Sequence, residues 1–295
     1  MDSHKYLLAL QNRIILEKIE DETKNYIIGL EGEVCIKGLL DKYKQSNYIY
    51  NLNLNYKNRV QIDFLVISDD TIFHLEVKHY SGDYSIHEGQ LLNEYGTMFY
   101  TPFQQIKRAH YELNHVITHY NINRELKSFL VFSNPKFTLK THIPNNINVL
   151  LPTELHKLQY MFKNNKSIEN SRILKIFKSN HSDFSHIYNN VNKIPIEHLR
   201  KGLKCPRCKR LYKTTLEINK KYLVCEACLY KIARQNLYLY NLKELYICKK
   251  EPFTLNEAQK WCQLVNSLTI RRVVEKYFKS IDKNPKKYYL DNEEL

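Results

Sequence analysis

Two pairs of cysteines place the strongest constraint on what this chain can fold into. Cys205 and Cys208 form one Cys-x2-Cys motif, Cys225 and Cys228 form another, and 16 residues separate the two motifs. This spacing fits a four-thiolate zinc site, because each motif makes a tight turn that directs two sulfurs at one tetrahedral ion. A redox role explains a single motif but not two at this spacing. The intervening segment 211–224 predicts a strand, a turn and a second strand, which is the layout of a zinc ribbon.

The role expected for this zinc is structural. Four thiolates complete the tetrahedral shell and leave no position for a reacting water. Metal binding contributes on the order of 10 kcal/mol of apparent folding free energy to a module too small to build its own core. The three remaining cysteines are predicted to be small core residues without a function: Cys35, Cys248 and Cys262.

The compartment follows from the same residue counts. Seven cysteines are an odd number, which suits metal binding in a reducing environment better than a disulfide framework. The first 20 residues interrupt their apolar positions with charges, which is typical of an amphipathic helix rather than a signal peptide. The chain also lacks a run of about 18 apolar residues. A cytoplasmic protein without a membrane span is therefore expected.

Basic residues are concentrated in the last third of the chain. The net charge is +14, and residues 197–295 hold 22 Lys and Arg against 11 Asp and Glu, whereas residues 1–196 hold 23 against 20. Such a local excess indicates a surface that binds phosphates, although a solvated basic surface or a membrane-attracted one would have the same composition. Around the first cysteine motif the predicted nucleic-acid contacts are Arg200, Lys201, Lys204, Arg207, Lys209 and Arg210.

The order of the predicted elements indicates an α/β fold with a mixed sheet flanked by helices. Residues 60–67 and 72–78 are rich in β-branched and aromatic residues and flank a polar turn, which predicts a β-hairpin. Apolar residues at helical spacing, or in short β-rich runs, predict the other elements. These are helices at 3–21, 24–43 and 102–120 and strands at 127–133 and 147–151.

Three polar side chains stand out in this apolar hairpin. Asp63 lies in its first strand, and Glu76 and Lys78 lie two residues apart in its second, on one face. Two carboxylates that converge on one pocket repel each other, and a divalent cation such as Mg²⁺ relieves that repulsion. A neighbouring ammonium can orient a metal-bound water or stabilise developing negative charge. A solvated hairpin face explains the same residues without any chemistry.

The helix before the hairpin adds a second signal. Gly29 and Gly32 stand inside a predicted helix beside Glu33, at a cost of roughly 1 kcal/mol per glycine relative to alanine. Further residues belong to the same pattern, namely Gln61, Asp63, Glu76, Lys78, Gly82, Pro102 and Gln105. With this pattern, the chain over about 24–152 resembles the nuclease-related domain (NERD) family of the PD-(D/E)XK superfamily. His79 and Thr101 replace asparagines that are usual in the family.

This resemblance implies a restriction-endonuclease-like fold and a set of site residues. It implies that Asp63 and Glu76 bind a catalytic Mg²⁺ or Mn²⁺, that Lys78 is the catalytic lysine and that Glu33 is an auxiliary acid. It further implies that Gln61 and Gln105 line the substrate site.

The C-terminal segment predicts two helices separated by five or six residues. Thr254 and Thr269 are the predicted N-caps, and Arg271 and Arg272 lie near the start of the second helix, where base edges or phosphates are reached. The pattern resembles a helix-turn-helix, but a helical hairpin that buries Trp261 explains it as well.

The predicted organisation has five segments. They are an N-terminal helix at 1–23, a NERD-like domain at 24–152, a helical linker at 153–199, a zinc ribbon at 200–232 and a basic helical segment at 233–295. The predicted function is metal-dependent hydrolysis of nucleic acid, with DNA favoured over RNA. Two alternatives remain, a non-enzymatic nucleic-acid-binding or regulatory protein and a zinc-dependent protein-interaction module. Oligomeric state is open.

Overall fold

The chain forms two compact units. The computed structural model describes residues 3–14, 21–43, 47–99, 102–145, 147–161, 167–182, 193–212, 221–263, 267–281 and 284–290. One unit combines residues 1–30 with 185–295, and the other consists of residues 31–184. The N-terminal helix therefore belongs to the same unit as the cysteine motifs.

The predicted hairpin is present among the elements up to residue 184. In chain order they are α1 (Ser3–Leu10), α2 (Asp21–Lys42), β1 (Tyr48–Asn55), β2 (Arg59–Ile67), β3 (Thr71–Lys78), β4 (Gly82–His87), β5 (Gln90–Asn93), β6 (Met98–Phe99), α3 (Pro102–His119), β7 (Glu125–Phe132), β8 (Phe137–Leu139), β9 (Asn148–Leu150), a 3-10 helix (Pro152–Lys157), α4 (Leu158–Met161) and α5 (Ile168–Ser179). The first predicted helix ends at Leu10 rather than at residue 21, and residues 15–20 lie outside the described part.

A mixed five-stranded sheet organises the unit of residues 31–184. Its strand order is β1-β2-β3-β7-β9; β1, β2 and β3 are antiparallel, and β3, β7 and β9 are parallel. Helix α2 covers one face, where Ile36 and Leu40 pack against Leu75. Helices α3 and α5 cover the other face, where Val116 and Phe177 join one core. The predicted mixed sheet flanked by helices is confirmed.

Two parts of this unit were not predicted. Strand β1 pairs with β2, and β4 pairs with β5 and β8 in a second, four-stranded sheet. The sequence of β1 alternates apolar residues with asparagines, and Asn51 breaks its regular extended backbone with a φ of 55°. Helix α5 lies in the predicted linker at 153–199, yet its Ile173 and Phe177 are buried in the core of this unit.

The unit of residues 1–30 and 185–295 is built on helices with two small sheets. Its further elements are a 3-10 helix (Ile196–His198), β10 (Tyr222–Val224), β11 (Lys231–Ala233), α6 (Arg234–Lys249), β12 (Phe253–Thr254), α7 (Leu255–Cys262), α8 (Ser267–Tyr277), β13 (Lys279–Ile281) and β14 (Lys287–Tyr289). Leu203, Leu223 and Ile232 from the cysteine region share one core with α1 and α6. Of the lone cysteines, Cys248 and Cys262 are buried as predicted, whereas Cys35 is exposed, which corrects its prediction as a core residue.

A buried ionic cluster connects three segments of this unit. Arg13 and Lys204 are both fully buried, and each forms an ion pair with Glu244 on α6, at 3.0 and 2.7 Å. Arg13 also donates to Asn241 Oδ1 at 2.7 Å and stacks over Trp261 at 4.1 Å. Buried charges need such partners, because desolvation of an unpaired ion costs several kcal/mol.

Glu244→Gln should lower the free energy of unfolding by about 3–5 kcal/mol, because a neutral amide cannot offset two buried cations. Denaturant unfolding followed by circular dichroism measures the loss. The matched control is Glu251→Gln, whose carboxylate is exposed in a pair with Lys193 and contributes about 1 kcal/mol or less. Equal unfolding midpoints for the two variants would show that the buried cluster is not needed for stability.

Candidate functional site

Asp63 lies where strands β2 and β3 stop pairing. The antiparallel ladder between them has Phe64 opposite Leu75 as its last pair on this side. Asp63 directly precedes Phe64 on β2, and its Oδ2 accepts a hydrogen bond of 2.7 Å from the backbone N–H of Val77. The side chain thus takes the N–H that a continued ladder would have paired with backbone. Asp63 is only 8% exposed, and its carboxylate bonds across the end of the ladder between the two strands.

Glu76 and Lys78 share one face of β3, as their spacing predicts. Lys78 Nζ donates to Glu76 Oε1 at 2.8 Å and to Gln105 Oε1 of helix α3 at 2.9 Å. Glu76 is 1% exposed and the Lys78 side chain is 18% exposed. The lysine therefore connects a buried carboxylate with the surface of α3.

The second oxygen of Glu76 has no hydrogen-bond partner among the described residues, although it is buried. It lies 3.9 Å from His74 Nε2, which is also buried and accepts or donates no hydrogen bond among the described residues. A buried oxygen without a donor is costly, and such an atom requires an explanation. A bound cation is one ligand that would satisfy it.

Glu33 of helix α2 approaches the same carboxylates. Tyr50 of β1 donates to Glu33 Oε2 at 2.7 Å. Burial, together with the charge of Glu76, raises the pKa of Glu33 to about 7, although the hydrogen bond from Tyr50 opposes this shift. Burial and then the carboxylates of Glu76 and Glu33 raise the pKa of Asp63 well above its ordinary value. The three acids therefore repel one another at a single place.

Lys78 is the positive charge at this site. Burial lowers the pKa of its ammonium, but the carboxylates of Glu76 and Asp63 outweigh burial and raise the pKa above its ordinary value. Burial raises the pKa of Glu76, but the positive charge of Lys78 and the neighbouring His74 together outweigh burial and lower the pKa of that carboxyl. Lys78 is therefore protonated and Glu76 ionised at neutral pH.

A cleft beside these residues contains both predicted substrate-lining glutamines. It has a volume of about 400 Å³, and Gln61 and Gln105 line it together with Arg59 and Arg108. Gln61 donates to Asn51 Oδ1 at 2.9 Å, which fixes its amide. The two arginines were not predicted from the sequence. Their guanidinium groups are suited to phosphate oxygens.

One of the two helix glycines is explained by close packing. A β-carbon on Gly32 would lie 2.6 Å from Ser133 Oγ and 2.9 Å from the His79 β-carbon, whereas one on Gly29 would meet no atom within 4 Å. Close packing therefore accounts for Gly32 and leaves Gly29 without a structural explanation. Gly32 lets α2 approach the end of β3, next to Glu33.

These carboxylates, the lysine and the helix glycine occupy one continuous stretch of the chain. Residues 28–133 match the family model of the nuclease-related domain, NERD. The resemblance read from the motifs is thereby confirmed over this range, which includes all six residues predicted for its site. No curated protein sequence matches the chain.

The donor set of the NERD domain fits a hard divalent cation. Asp63 and Glu76 offer carboxylate oxygens, and one of these oxygens is buried without a donor among the described residues. Mg²⁺ needs only one or two protein carboxylates, because water and substrate phosphates complete its shell. Burial, and then the carboxylates of Glu76 and Glu33, raise the pKa of Asp63, and a cation between the acids would offset both effects.

His74 of the NERD domain is a site neighbour that sequence reasoning missed. Its Nδ1 is 3.0 Å from Ser128 Oγ on β7, and His110 Nδ1 on α3 is 2.8 Å from the same hydroxyl. Strand alternation puts His74 on the face of Glu76, two residues away. That spacing was the available signal, but an isolated histidine in an apolar strand does not distinguish a site from a core.

The four cysteines form a second candidate metal site in the other unit. Their sulfurs all lie within 4.8 Å of one another, with Cys205 and Cys228 3.8 Å apart and Cys208 and Cys225 3.6 Å apart. Four sulfurs around one tetrahedral Zn²⁺ at 2.3 Å are about 3.8 Å apart, so the cluster has the right dimensions.

The two cysteine turns have the same backbone. Lys209 and Leu229, each directly after the second cysteine of a motif, have φ values of 59° and 57°. Burial, with added effects of the neighbouring sulfurs, raises the pKa of Cys208 to about 11. A cation would compensate such crowded thiolates. The cluster is compatible with a zinc ribbon, although residues 213–220 of the predicted strand-turn-strand segment lie outside the described part.

The predicted phosphate-binding residues of the cysteine region differ in how far they are exposed. Arg200, Lys201 and Arg210 are exposed, and Arg207 and Lys209 are half-buried. Lys204 is fully buried and donates to the backbone carbonyls of Leu8, Ala9 and Gln11 at 3.0–3.2 Å. Burial lowers the pKa of Lys204 to about 8. Lys204 is therefore removed from the set of surface contacts.

The C-terminal helices differ from their prediction at one cap. Thr254 caps α7 as predicted, accepting from the Glu257 N–H at 3.2 Å in a capping box. Helix α8 begins at Ser267, so Thr269 lies inside the helix, and its prediction as an N-cap is wrong. Arg271 and Arg272 are exposed on α8. Among the described helices, none has the length and apolar character needed to cross a membrane.

Proposed function

We propose that the NERD domain hydrolyses phosphodiester bonds of nucleic acid, with DNA favoured, and uses Mg²⁺ or Mn²⁺ held by Asp63 and Glu76. The observation that carries the proposal is a buried Glu76 oxygen that has no hydrogen-bond partner among the described residues and lies beside a second buried carboxylate. A bound divalent cation supplies a polarised phosphate and a water of lowered pKa. The match to a nuclease-related domain supports this chemistry.

Asp63 and Glu76 are oriented before any ligand arrives. The Val77 N–H fixes one Asp63 oxygen, and the Lys78 ammonium fixes one Glu76 oxygen. Each carboxylate therefore has a defined direction, and little reorganisation accompanies binding. Such preorganisation in a site shielded from water strengthens every charge interaction with the reacting group.

Lys78 acts as a cation rather than as a base. Its raised pKa keeps the ammonium protonated at neutral pH. Two of its three N–H donors point to Glu76 and Gln105, which leaves one for a water or a phosphate oxygen. In that position it orients the attacking water or stabilises negative charge on the phosphate.

The remaining residues of the NERD site have supporting roles. Glu33, with its pKa near 7, is an auxiliary acid beside the metal position. Gln61 and Gln105 line the adjacent cleft, where the nucleic-acid backbone would lie against Arg59 and Arg108. These roles follow from position, since each side chain borders the carboxylates or the cleft.

The other unit binds nucleic acid and holds a structural Zn²⁺. The sulfur geometry supports zinc, and the exposed basic residues near the first cysteine motif support phosphate contacts. Both modules are on one chain, which raises the local concentration of bound substrate at the NERD domain. The free thiols support a reducing compartment, and the proposed location is the cytoplasm.

In the deciding experiment, the full chain is incubated with labelled DNA and RNA, each single-stranded and duplex, in the presence of Mg²⁺ or Mn²⁺. Lys78→Ala should lower the cleavage rate by about 100-fold or more while binding persists, because it removes one charge aimed at the reacting phosphate. Gel analysis of the products measures the rate. Lys127→Ala, an exposed lysine paired with Glu125, is the matched control and should cleave like the wild type.

Each other result has a definite meaning. Binding without cleavage by the wild type would favour a regulatory nucleic-acid-binding protein on a nuclease-like fold. Absence of both binding and cleavage would favour a zinc-dependent protein-interaction module. Cleavage that persists after Lys78→Ala would remove the lysine from the mechanism.

A further inference from the structure

The last elements of the chain have a recognisable order. Among the described residues, the order is helix α6, strand β12, helices α7 and α8 and strands β13 and β14. Their sheet has the order β12-β14-β13, and both pairs are antiparallel. A winged helix has this order and pairing. Its helix-turn-helix is followed by two antiparallel strands, the wing, and a short strand that precedes the second of the three helices pairs with the last strand of the wing. The sequence alone predicted the two helices and their resemblance to a helix-turn-helix, but not the strands.

We propose that helices α6 to α8 and strands β12 to β14 form a winged helix that inserts α8 into the major groove of duplex DNA. The proposal rests on the proposed nucleic-acid binding and names its partner, and it does not require the NERD domain to cleave. In helix-turn-helix proteins the second helix of the motif lies in the groove and its N-terminal residues reach base edges.

Helix α8 has one buried face and one charged face. Ile270, Val273 and Val274 are at most 1% exposed, and they pack in the core with Trp261 of α7 and Phe253 of β12. Because these residues fix the rotation of α8, its other side faces outward. The outward residues on that side are Arg271, Arg272, Glu275 and Lys276.

The outward face is suited to DNA by its charge. Residues 255–290 contain eight Lys and Arg against three Asp and Glu. The Arg271 side chain is 61% exposed, and its Nε lies 2.9 Å from Glu275 Oε1, which holds the guanidinium along the helix. Lys279 follows α8 and Lys286 precedes β14, and both are exposed. Basic groups therefore occur on the helix and on the wing, as contacts to two strands of phosphates require.

The geometry favours duplex DNA over other nucleic acids. A B-form major groove, about 12 Å wide, accepts an α-helix, whereas the major groove of duplex RNA is too deep and narrow. Proteins that bind single strands use aromatic side chains as stacking platforms. The described outward residues of α8 are charged or aliphatic, and Tyr277 at its end is half-buried and bonded to Gln235.

The test measures binding by the full, zinc-loaded chain without added Mg²⁺ or Mn²⁺, so that cleavage does not contribute. Fluorescence anisotropy over a range of KCl concentrations compares one sequence as duplex DNA, single-stranded DNA and duplex RNA. Arg271→Gln/Arg272→Gln is compared with Lys175→Gln/Lys178→Gln, a change of the same charge at two exposed positions of α5.

Duplex DNA should bind at least about tenfold more tightly than the other two. The arginine variant should weaken duplex binding by about tenfold or more and lower the salt slope by about 2, since each lost phosphate contact contributes about 0.9. The lysine variant should stay within about twofold of the wild type. Unchanged melting temperatures confirm that both variants are folded.

Three results would overturn the proposal. They are equal effects of the two variants, tighter binding to single strands or duplex RNA, and the absence of any nucleic-acid binding. If duplex binding depends on the arginines but the wild type cleaves nothing, the winged helix stands and the nuclease fails. If the wild type cleaves nucleic acid robustly and the arginine variant cleaves it equally well, the nuclease stands and the winged helix fails.

Discussion

Asp63→Asn should lower the cleavage rate by about 1000-fold or more without lowering the melting temperature. The loss follows because the charged oxygen proposed to hold the cation is gone, and metal stabilisation of the transition state is worth several kcal/mol. Stability should be kept, since the amide oxygen can still accept the Val77 N–H. The raised pKa of Asp63 means that its charge is unfavourable there, so its removal relieves repulsion from Glu76 and Glu33.

Single-turnover cleavage and thermal unfolding measure these two effects separately. Asp83→Asn provides the comparison, because its carboxylate is partly exposed in an ion pair with Lys140. A variant that is inactive because it is unfolded would argue for a purely structural Asp63. Full activity in Asp63→Asn would exclude it as a metal ligand.

Loss of the zinc site should unfold much of the unit formed by residues 1–30 and 185–295. Cys208→Ser removes one of four thiolates, and metal-linked folding free energy is on the order of 10 kcal/mol. The effect should extend beyond the ribbon, because Leu203 and Leu223 share a core with the helices. Circular dichroism melting and metal analysis of the same samples test this.

Cys35→Ser is the control, since this cysteine is exposed and distant in sequence from both motifs. It should retain one Zn²⁺ and the wild-type melting temperature. A chelator-treated wild type that holds no metal and melts unchanged would refute a structural role for the cluster.

The hairpin and the cysteine motifs were predicted well because their signals are local. Alternation of apolar residues in 60–67 and 72–78 determines which side chains share a face, and the observed strands are Arg59–Ile67 and Thr71–Lys78. The spacing of two tight turns likewise determines whether four sulfurs can meet. Neither property depends on distant parts of the chain.

Lys204 shows where such reasoning ends. In the sequence it stands among six basic residues and predicts a phosphate contact. In the structure it is buried because Glu244, 40 residues further along, and the carbonyls at the end of α1 surround its ammonium. Composition cannot distinguish a buried paired cation from an exposed one, since the partner is supplied by the fold.

By itself, the sequence determined the residue types of both sites, the hairpin that carries three of them and the concentration of basic charge near the C-terminus. Tertiary structure decided that Asp63 lies at the end of the β2–β3 ladder, that one Glu76 oxygen lacks a donor among the described residues and that the last elements pair as β12-β14-β13. The physical reason is the distance along the chain over which each kind of interaction acts. Periodicity and turn spacing act over a few residues, whereas burial, orphaned polar atoms and strand order depend on contacts between segments far apart in the chain.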